Sequence, residues 1–294
     1  MKKAIFYIVV LILFSNLLYS KEYVIGVIPK TMYIEYWQDI ERGAKKAGVD
    51  LKVNIIYRGP NYEEDENIQI KIAEEFINKG VDAIVIAPAD KDKLVNVIKK
   101  AFDKGIKIVV IDSAMSGKNY NSYVGTNNYK AGYTAGKEML KRVKDKNSIM
   151  LLKLKKGNSS TEDREQGFVD SIIDGGGVVK YSEYGGVTLG ESSRKVEKLI
   201  KNNDISGIFM SNGVLTEGVI IAIKKTGKKG IIALGFDTSE NTKTALENKE
   251  ITGVITQNPY KIGYTGVKIA VDILNGLKVE EKIDIEFNFK EKIK

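Results

Sequence analysis

Short apolar runs alternate with longer amphipathic stretches along most of this chain. The runs at residues 23–28, 83–87 and 108–111 are long enough for buried strands and too short for typical helices. Residues 33–48 and 67–79 carry apolar side chains at spacings of three and four, which predicts helices that pack by one face. Strands that alternate with helices in this way predict parallel sheets joined by right-handed crossovers.

The same alternation continues to the C-terminus. Predicted strands cover residues 23–28, 51–57, 83–87, 108–111, 123–124, 148–153, 178–184, 207–210, 231–235, 252–256 and 283–289. Predicted helices cover residues 33–48, 67–79, 90–104, 127–143, 161–173, 189–201, 212–225, 238–248 and 260–275. The pattern restarts near residue 127 without a low-complexity linker, so we expect an α/β protein of two doubly wound parallel-sheet lobes joined by a multi-strand hinge.

Polar and aromatic side chains follow the C-terminal ends of many predicted strands. Ligands bind at that edge in open α/β sheets, so two facing sheets should bring these side chains together around a cleft. Carboxylates accept hydroxyl protons, an arginine donates several N–H groups, amides do both, and aromatic rings cover apolar C–H faces. This combination predicts a polyol ligand. The candidate residues are Tyr36, Trp37, Asp112, Arg164, Asn212, Phe236, Asp237 and Gln257.

Six of the eight candidates also have a purely structural interpretation. A short polar side chain often caps a helix or a turn, and an exposed arginine often forms a surface salt bridge. The alternatives are a cap for Asp112, Asp237 and Asn212, a surface salt bridge for Arg164, core packing for Trp37, and a backbone hydrogen bond at a hinge for Gln257.

The N-terminus has the pattern of an export signal. Lys2 and Lys3 precede an apolar stretch of about a dozen residues. The polar pair Ser15-Asn16 comes after that stretch, and the small residue Ser20 lies four residues beyond the pair. We expect a signal peptide cleaved near Ser20 and a periplasmic product. An uncleaved membrane anchor is the alternative, although the stretch is shorter than the roughly 20 residues that a membrane span prefers.

The composition excludes several classes of site. The 294 residues have a formal charge of +8 and contain neither Cys nor His, which excludes thiol or histidine catalysis, disulfides and zinc sites with those ligands. Basic and acidic residues are interspersed, so we expect no nucleic-acid partner. The segment Gly26-Val-Ile-Pro-Lys-Thr-Met lacks G-x-G-x-x-G, which argues against a nucleotide-dependent oxidoreductase.

Several stretches of the chain, in order and spacing, match one family. They are Ile25-Gly-Val-Ile-Pro with Tyr36-Trp37, Val81-Asp-Ala-Ile-Val-Ile-Ala-Pro-Ala-Asp90, Gly105-Ile-Lys-Ile-Val-Val-Ile-Asp-Ser113, Tyr123-Val-Gly-Thr-Asn-Asn128, Gly235-Phe-Asp237 and Thr256-Gln-Asn-Pro259. In these stretches the chain resembles the sugar-binding proteins of bacterial ABC importers, the ribose-type periplasmic binding proteins of the type 1 fold. The resemblance covers nearly all of the chain after residue 20.

The resemblance implies a role for each candidate. Tyr36 and Trp37 would enclose a sugar ring, and Asp112 would bind its hydroxyls. The residues implied on the second lobe are Arg164, Asn212, Asp237 and Gln257, with Phe236 beside the ring. Ser113, Ala87 and Ile34-Glu35 depart from the ribose-type pattern of Arg, Asn and Asn-Pro, so the ligand stays open among pentoses, aldohexoses, cyclitols and other polar solutes.

The expected organisation follows from the resemblance. Residues 1–20 form a signal peptide, residues 21–126 plus 258–284 the N-terminal lobe, and residues 127–257 plus 285–294 the C-terminal lobe, with crossings near residues 126–127, 257–258 and 284–285. We expect a monomeric binding protein, not an enzyme, without cofactor or metal, that delivers its ligand to an ABC transporter permease. A chemoreceptor or sensor kinase that recognises the closed form is the alternative partner. A repressor of the same fold would need a DNA-binding headpiece where the export signal stands.

Overall fold

Two parallel-stranded sheets, each covered by helices on both faces, make up the protein. The computed structural model describes residues 22–63 and 65–293, so the predicted signal peptide at residues 1–20 lies outside the described residues. Over those described residues, no helix combines the length and the apolar character that a membrane span requires. The predicted class of two doubly wound α/β lobes is confirmed.

The helices and strands follow each other in the predicted order. The first part of the chain forms β1 (Val24–Ile28), α1 (Glu35–Leu51), β2 (Asn54–Tyr57), α2 (Glu66–Lys79), β3 (Ala83–Ile86), α3 (Val95–Asp103), β4 (Lys107–Ile111) and β5 (Ser122–Thr126). The second part forms α4 (Asn128–Leu140), β6 (Ile149–Lys153), α5 (Ser159–Asp174), β7 (Val179–Tyr184), α6 (Leu189–Asn202), β8 (Gly207–Met210), α7 (Gly213–Thr226), β9 (Ile232–Phe236), α8 (Glu240–Glu247) and β10 (Gly253–Thr256). The last part forms α9 (Pro259–Leu274), β11 (Lys282–Ile285) and β12 (Asn288–Lys290).

The two sheets share one strand order. The first sheet runs β11-β5-β4-β3-β1-β2, and the second runs β12-β10-β9-β8-β6-β7. All neighbours within them are parallel except β12, which is antiparallel to β10. This equivalence makes β9 the counterpart of β4 and β6 the counterpart of β1. Residues at the ends of these strands therefore occupy matching positions in the two lobes.

Three differences from the sequence prediction have a clear physical cause. The single edge strand predicted at residues 283–289 is wrong, because β11 pairs with β5 in the first sheet and β12 with β10 in the second. The alternating pattern continues through both strands, so periodicity alone does not reveal the change of partner. The helix predicted from residue 90 begins only at Val95, because the Asp90 side chain accepts the N–H groups of Asp92 and Lys93 and holds a turn. The strand predicted from residue 51 begins at Asn54, because α1 continues to Leu51.

The chain passes between the two sheets at three places. It crosses from β5 to α4, from β10 to α9, and from β11 to β12 through residues 286–287. Asn127 lies at the first crossing, where its side chain caps α4 by accepting from Lys130 N and donates to Asp284 Oδ2 at 3.1 Å. The expected division of residues between the lobes stays a proposal. It assigns Ile285 to the C-terminal lobe, whereas Ile285 pairs with Thr126 in the first sheet.

One pair of helices in each lobe packs backbone to backbone. In the first lobe a Cβ at Gly43 of α1 would overlap the carbonyl oxygen of Tyr260, where α9 begins. In the second lobe a Cβ at Gly132 of α4 would overlap the carbonyl oxygen of Arg164 in α5. Glycine is therefore required at these contacts for the helices to approach, and in the second lobe the contact fixes the backbone of Arg164.

Substitution of Gly132 by alanine is expected to lower the free energy of unfolding. The new methyl group has no space against α5, and overpacking of this kind typically costs about 1–3 kcal/mol. Urea unfolding followed by circular dichroism measures the change. Gly190→Ala is the matched control, because its Cβ would meet only the Arg194 guanidinium at 3.4 Å. A Gly132→Ala protein as stable as the control would contradict the packing argument.

Candidate functional site

A cavity of about 480 Å³ lies between the lobes at the carboxyl ends of the strands. Its size falls in the range of small-molecule sites. Its lining includes every sequence-predicted candidate except Phe236, namely Tyr36, Trp37, Asp112, Arg164, Asn212, Asp237 and Gln257. Both sheets contribute, so a ligand in this cavity would touch both lobes at once.

Asp112 and Asp237 occupy equivalent positions in the two lobes. Asp112 follows β4 and Asp237 follows β9, and both adopt left-handed backbone conformations with φ of 62° and 63°. The Asp112 N–H donates to Val124 O at 3.0 Å, and the Asp237 N–H donates to Ile255 O at 2.9 Å. A left-handed non-glycine residue costs roughly 1–3 kcal/mol and is typical of functional sites. The shared turn directs a carboxylate from each sheet edge into the cavity.

Lys30 forms a buried ion pair with Asp112. Its Nζ lies 2.9 Å from Asp112 Oδ2, and the side chains of both residues are almost fully buried. Lys30 also donates to Ser113 Oγ at 2.5 Å, and it reaches across the cleft to Ser160 Oγ at 3.4 Å. Burial opposes ionisation of Asp112, but the charges of Lys30 and Arg164 outweigh it and hold the pKa of that carboxyl below its usual value.

The aromatic pair on α1 forms one wall of the cavity. The Tyr36 hydroxyl donates to Asp112 Oδ1 at 2.7 Å, and the ring lies edge-on to Trp37 with the centroids 5.1 Å apart. Trp37 Nε1 donates to Glu63 Oε1 at 2.9 Å. Trp37 is 2% exposed and packs in the first-lobe core, so its core interpretation holds together with its position on the cavity wall.

Arg164 is buried, which overturns its alternative interpretation as a surface salt bridge. Its Nε donates to Asn128 Oδ1 at 2.8 Å, and its Nη1 donates to Ser211 O at 3.0 Å. Its guanidinium lies 3.7 Å from the ring centroid of Phe236. Phe236 is fully buried and does not line the cavity, so its ring acts on the site only through its contact with Arg164.

The remaining candidates come from the second lobe. Gln257 Nε2 donates to Asp237 Oδ1 at 2.7 Å, so the Gln257 amide orients that carboxylate. Ser239, and not Asp237, caps α8. Burial raises the pKa of Asp237, although the charge of Arg164 partly offsets it. Asn212 caps α7 by accepting from Leu215 N, as its structural interpretation expects, and it also lines the cavity.

Ion pairs and hydrogen bonds link the lobes beside the cavity. Lys155 Nζ lies 2.8 Å from Glu66 Oε1, and Lys91 Nζ lies 2.8 Å from Glu162 Oε2. Ser113 Oγ lies 2.8 Å from Ser160 Oγ. The lobes are therefore in contact along one side of the cleft, which is a closed arrangement.

Sequence reasoning missed several lining residues, above all Lys30, Glu63, Asn158 and Ser160. Lys30 follows directly after the first strand, so the strand-end rule that selected Asp112 could have found it. It also supplies a cation next to Ser113, where ribose-type proteins have Arg. Glu63 has no such signal, because it lies on a loop before α2 and reaches the site only through tertiary packing.

The chemistry of this site is that of binding. Its carboxylates, amides and guanidinium accept and donate hydrogen bonds, and its rings provide an apolar wall. Among the residues that the structure describes, no group of three or more His, Cys, Asp or Glu side chains is arranged to hold a metal ion.

A buried acid lies behind the cavity next to Arg164. Glu165 Oε1 accepts from Ser211 Oγ at 2.8 Å and from Leu154 N at 3.2 Å. Burial raises the pKa of Glu165 to about 7, because these two hydrogen bonds and the distant charge of Lys153 do not fully offset the loss of water. The folded protein therefore binds a proton at Glu165 that the unfolded chain releases at lower pH.

Comparison with known proteins gives consistent matches over most of the chain. A family model described as a periplasmic binding protein domain matches residues 25–278. The D-ribose/D-allose-binding protein of Pseudomonas aeruginosa is 28% identical over 271 residues, which cover 88% of this chain and 85% of that protein. The ribose import binding protein of Bacillus subtilis is 27% identical over 274 residues, which cover 92% of this chain and 87% of that protein.

Solved structures give the same result. The periplasmic component of an ABC-type sugar transport system from Hahella chejuensis superposes with a TM-score of 0.87 at 29% identity, covering 90% of this chain and 98% of that one. A carbohydrate transporter solute-binding protein from Agrobacterium radiobacter, in complex with D-arabinose, also has a TM-score of 0.87 at 29% identity, covering 92% and 95%.

The stability of the protein is expected to fall as the pH rises, in part because of Glu165. A carboxyl whose folded pKa of about 7 exceeds the usual 4.5 stabilises the fold at low pH. That stabilisation is lost between these two values and amounts to at most about 3 kcal/mol. Urea unfolding at pH 5 and pH 8 measures it. Glu165→Gln keeps an acceptor for Ser211 and should flatten the dependence.

The control for this experiment is Glu247→Gln, which removes the same charge from an exposed position at the end of α8. It should keep the pH dependence of the unmodified protein. Equal pH dependence in the unmodified protein and Glu165→Gln would contradict the assignment.

Proposed function

The chain belongs to the periplasmic binding protein family, and from that premise we propose that its cavity captures a sugar or a related polyol for the permease of an ABC importer. The family match confirms the resemblance found in the sequence. The two relatives are named as sugar-binding proteins, one of them for ribose import, in agreement with the expectation that the protein is not an enzyme. It acts in the periplasm, as its family does.

The convergence of two carboxylates from equivalent sheet edges is the observation that carries this proposal. Asp112 and Asp237 face one cavity from opposite lobes, so hydroxyl groups on both sides of one ring can donate to them. Arg164, Asn212 and Gln257 add donors, and Tyr36 and Trp37 add an apolar face. We propose these residues as the sugar contacts, with Phe236 acting through Arg164.

Closure is the proposed means of delivery. A ligand that contacts both lobes stabilises the closed state over an open one, because its contacts with one lobe are lost when the lobes separate. The ion pairs Lys155–Glu66 and Lys91–Glu162 add to the closed state. The permease would then recognise the surface that the closed lobes form together.

Three finer statements belong to this proposal. The signal peptide is cleaved near Ser20, and the protein acts as a monomer. Its closed form also offers a surface that a chemoreceptor or sensor kinase could recognise. N-terminal sequencing of the exported protein and its mass in solution test the first two.

A sugar that binds is expected to raise the melting temperature of the mature protein. At a hundredfold excess over Kd, binding adds about 2.7 kcal/mol to stability, which corresponds to a shift of several degrees. A thermal-shift screen of pentoses, aldohexoses, cyclitols and nucleosides measures the effect. The absence of a shift with every compound in these classes would contradict the proposed function.

The binding residues are tested with Asp237→Ala, which leaves the Lys30–Asp112 ion pair intact. Loss of a hydrogen bond to a charged group costs about 1.5–3 kcal/mol, so the affinity measured by calorimetry should fall roughly ten- to hundredfold. Asp204→Ala removes an exposed acid from the same lobe and should bind as the unmodified protein does. Equal affinities for both variants would show that the site is misplaced.

A further inference from the structure

Acidic side chains outnumber basic side chains in the lining of the cavity. Its lining contains six acids, Glu35, Glu63, Asp112, Glu217, Asp237 and Glu240, and only two bases, Lys30 and Arg164. The chain as a whole has a formal charge of +8, so the excess of acids is a local property of this cleft. A cleft lined mainly by one sign of charge concentrates ligands of the opposite sign.

The imbalance persists in the inner part of the cavity, which we define by Lys30, Glu63, Asp112, Arg164 and Asp237. Three acids and two bases leave a formal charge of −1. Lys30 pairs directly with Asp112 at 2.9 Å, and Arg164 supplies the main positive charge that acts on Asp237. Glu63 is the acid left over.

The Glu63 carboxylate has one donor and no salt bridge, although the Lys155 ammonium, which pairs with Glu66, lies 3.4 Å from the Glu63 backbone oxygen. Trp37 Nε1 donates to its Oε1 at 2.9 Å. Within residues 22–63 and 65–293, no basic side chain lies at ion-pair distance from Glu63, and no group donates to its second carboxylate oxygen. Burial raises the pKa of Glu63 despite the nearby charges of Lys30 and Lys155 and the hydrogen bond from Trp37, which agrees with a carboxylate that lacks a direct cationic partner.

A neutral sugar would leave this charge uncompensated. Its hydroxyls can donate to Glu63, which is half-buried without ligand, but a carboxylate that a bound ligand closes off from water without a counter-charge is costly and tends to take up a proton. A protonated amino group would donate a charge-assisted hydrogen bond to the free oxygen of Glu63 and would bring the inner charge from −1 to zero. The remaining contacts, at Asp112, Arg164 and Asp237, suit the hydroxyl groups of the same ligand.

We propose that the preferred ligands of this protein are sugars that carry a protonated amino group, and that Glu63 selects them. This inference rests on the proposed function of sugar capture and adds the class of sugar. Glu63 holds the ammonium at the first-lobe side of the cavity, and Trp37 fixes the orientation of the carboxylate. The rim acids Glu35 and Glu217 attract the cation to the cleft, whereas Glu240 is paired with Lys243.

Calorimetric titration at pH 6.5 tests the proposal with matched pairs of ligands, D-glucosamine against D-glucose and D-galactosamine against D-galactose. In at least one pair the amino sugar should bind roughly tenfold more tightly or better, which is the expected gain from one charge-assisted hydrogen bond. The preference should shrink as the pH falls and Glu63 takes up a proton. N-acetylation of the amino sugar should remove the preference, because it removes the charge.

Glu63→Gln keeps the acceptor for Trp37 and removes the charge, so the affinity ratio of amino sugar to neutral sugar should fall at least tenfold. Glu74→Gln removes an exposed acid from the same lobe and should keep the ratio. A thermal melt of each variant confirms that it is folded.

The possible failures are distinct. If neutral sugars bind at least as tightly as their amino counterparts, sugar capture stands and the selection of amino sugars is overturned. An amino-sugar preference that survives in Glu63→Gln overturns the role of Glu63. If neither class of sugar binds, the proposed function itself fails.

Discussion

The ligand cavity depends on a buried ion pair between Lys30 and Asp112. Removing a lysine and a carboxylate from water costs several kcal/mol per ion, and only close contact with a partner offsets that cost. Here the two atoms are 2.9 Å apart, and Tyr36 and Ser113 complete the hydrogen bonds of the carboxylate. The pair fixes Asp112 at the edge of the first sheet, and Lys30 reaches Ser160 across the cleft. The same interaction therefore orients a ligand contact and helps to hold the lobes together.

The equivalence of the two lobes explains why the cavity is lined from both sides. Identical strand orders place Asp112 and Asp237 at matching turns, and glycine contacts bring one helix pair in each lobe to backbone distance. In the second lobe that contact supports Arg164, whose guanidinium rests on Phe236. The geometry of the site thus depends on packing outside the cavity, and the chain passes between the lobes at three crossings.

The sequence was sufficient for much of this picture because its signals are local. Strand and helix periods, and the rule that ligands bind at carboxyl strand ends, proposed Asp112, Arg164 and Asp237 as site residues, and all three line the cavity. Other features depend on tertiary contacts that no local pattern encodes. The division of residues 283–289 between two sheets leaves the alternation unchanged, and Glu63 reaches the cavity only because the loop before α2 folds against Trp37. Phe236 also fits the strand-end rule, but its ring is fully buried with the Arg164 guanidinium over it, so it does not line the cavity.

Capture by closure is the central claim, and small-angle X-ray scattering of the mature protein tests it most directly. The radius of gyration is measured without ligand and with a saturating sugar whose binding calorimetry has established. The account predicts that the sugar lowers the radius of gyration and that the scattering curve then matches the closed structure. Identical curves with and without a sugar that is known to be bound would contradict it.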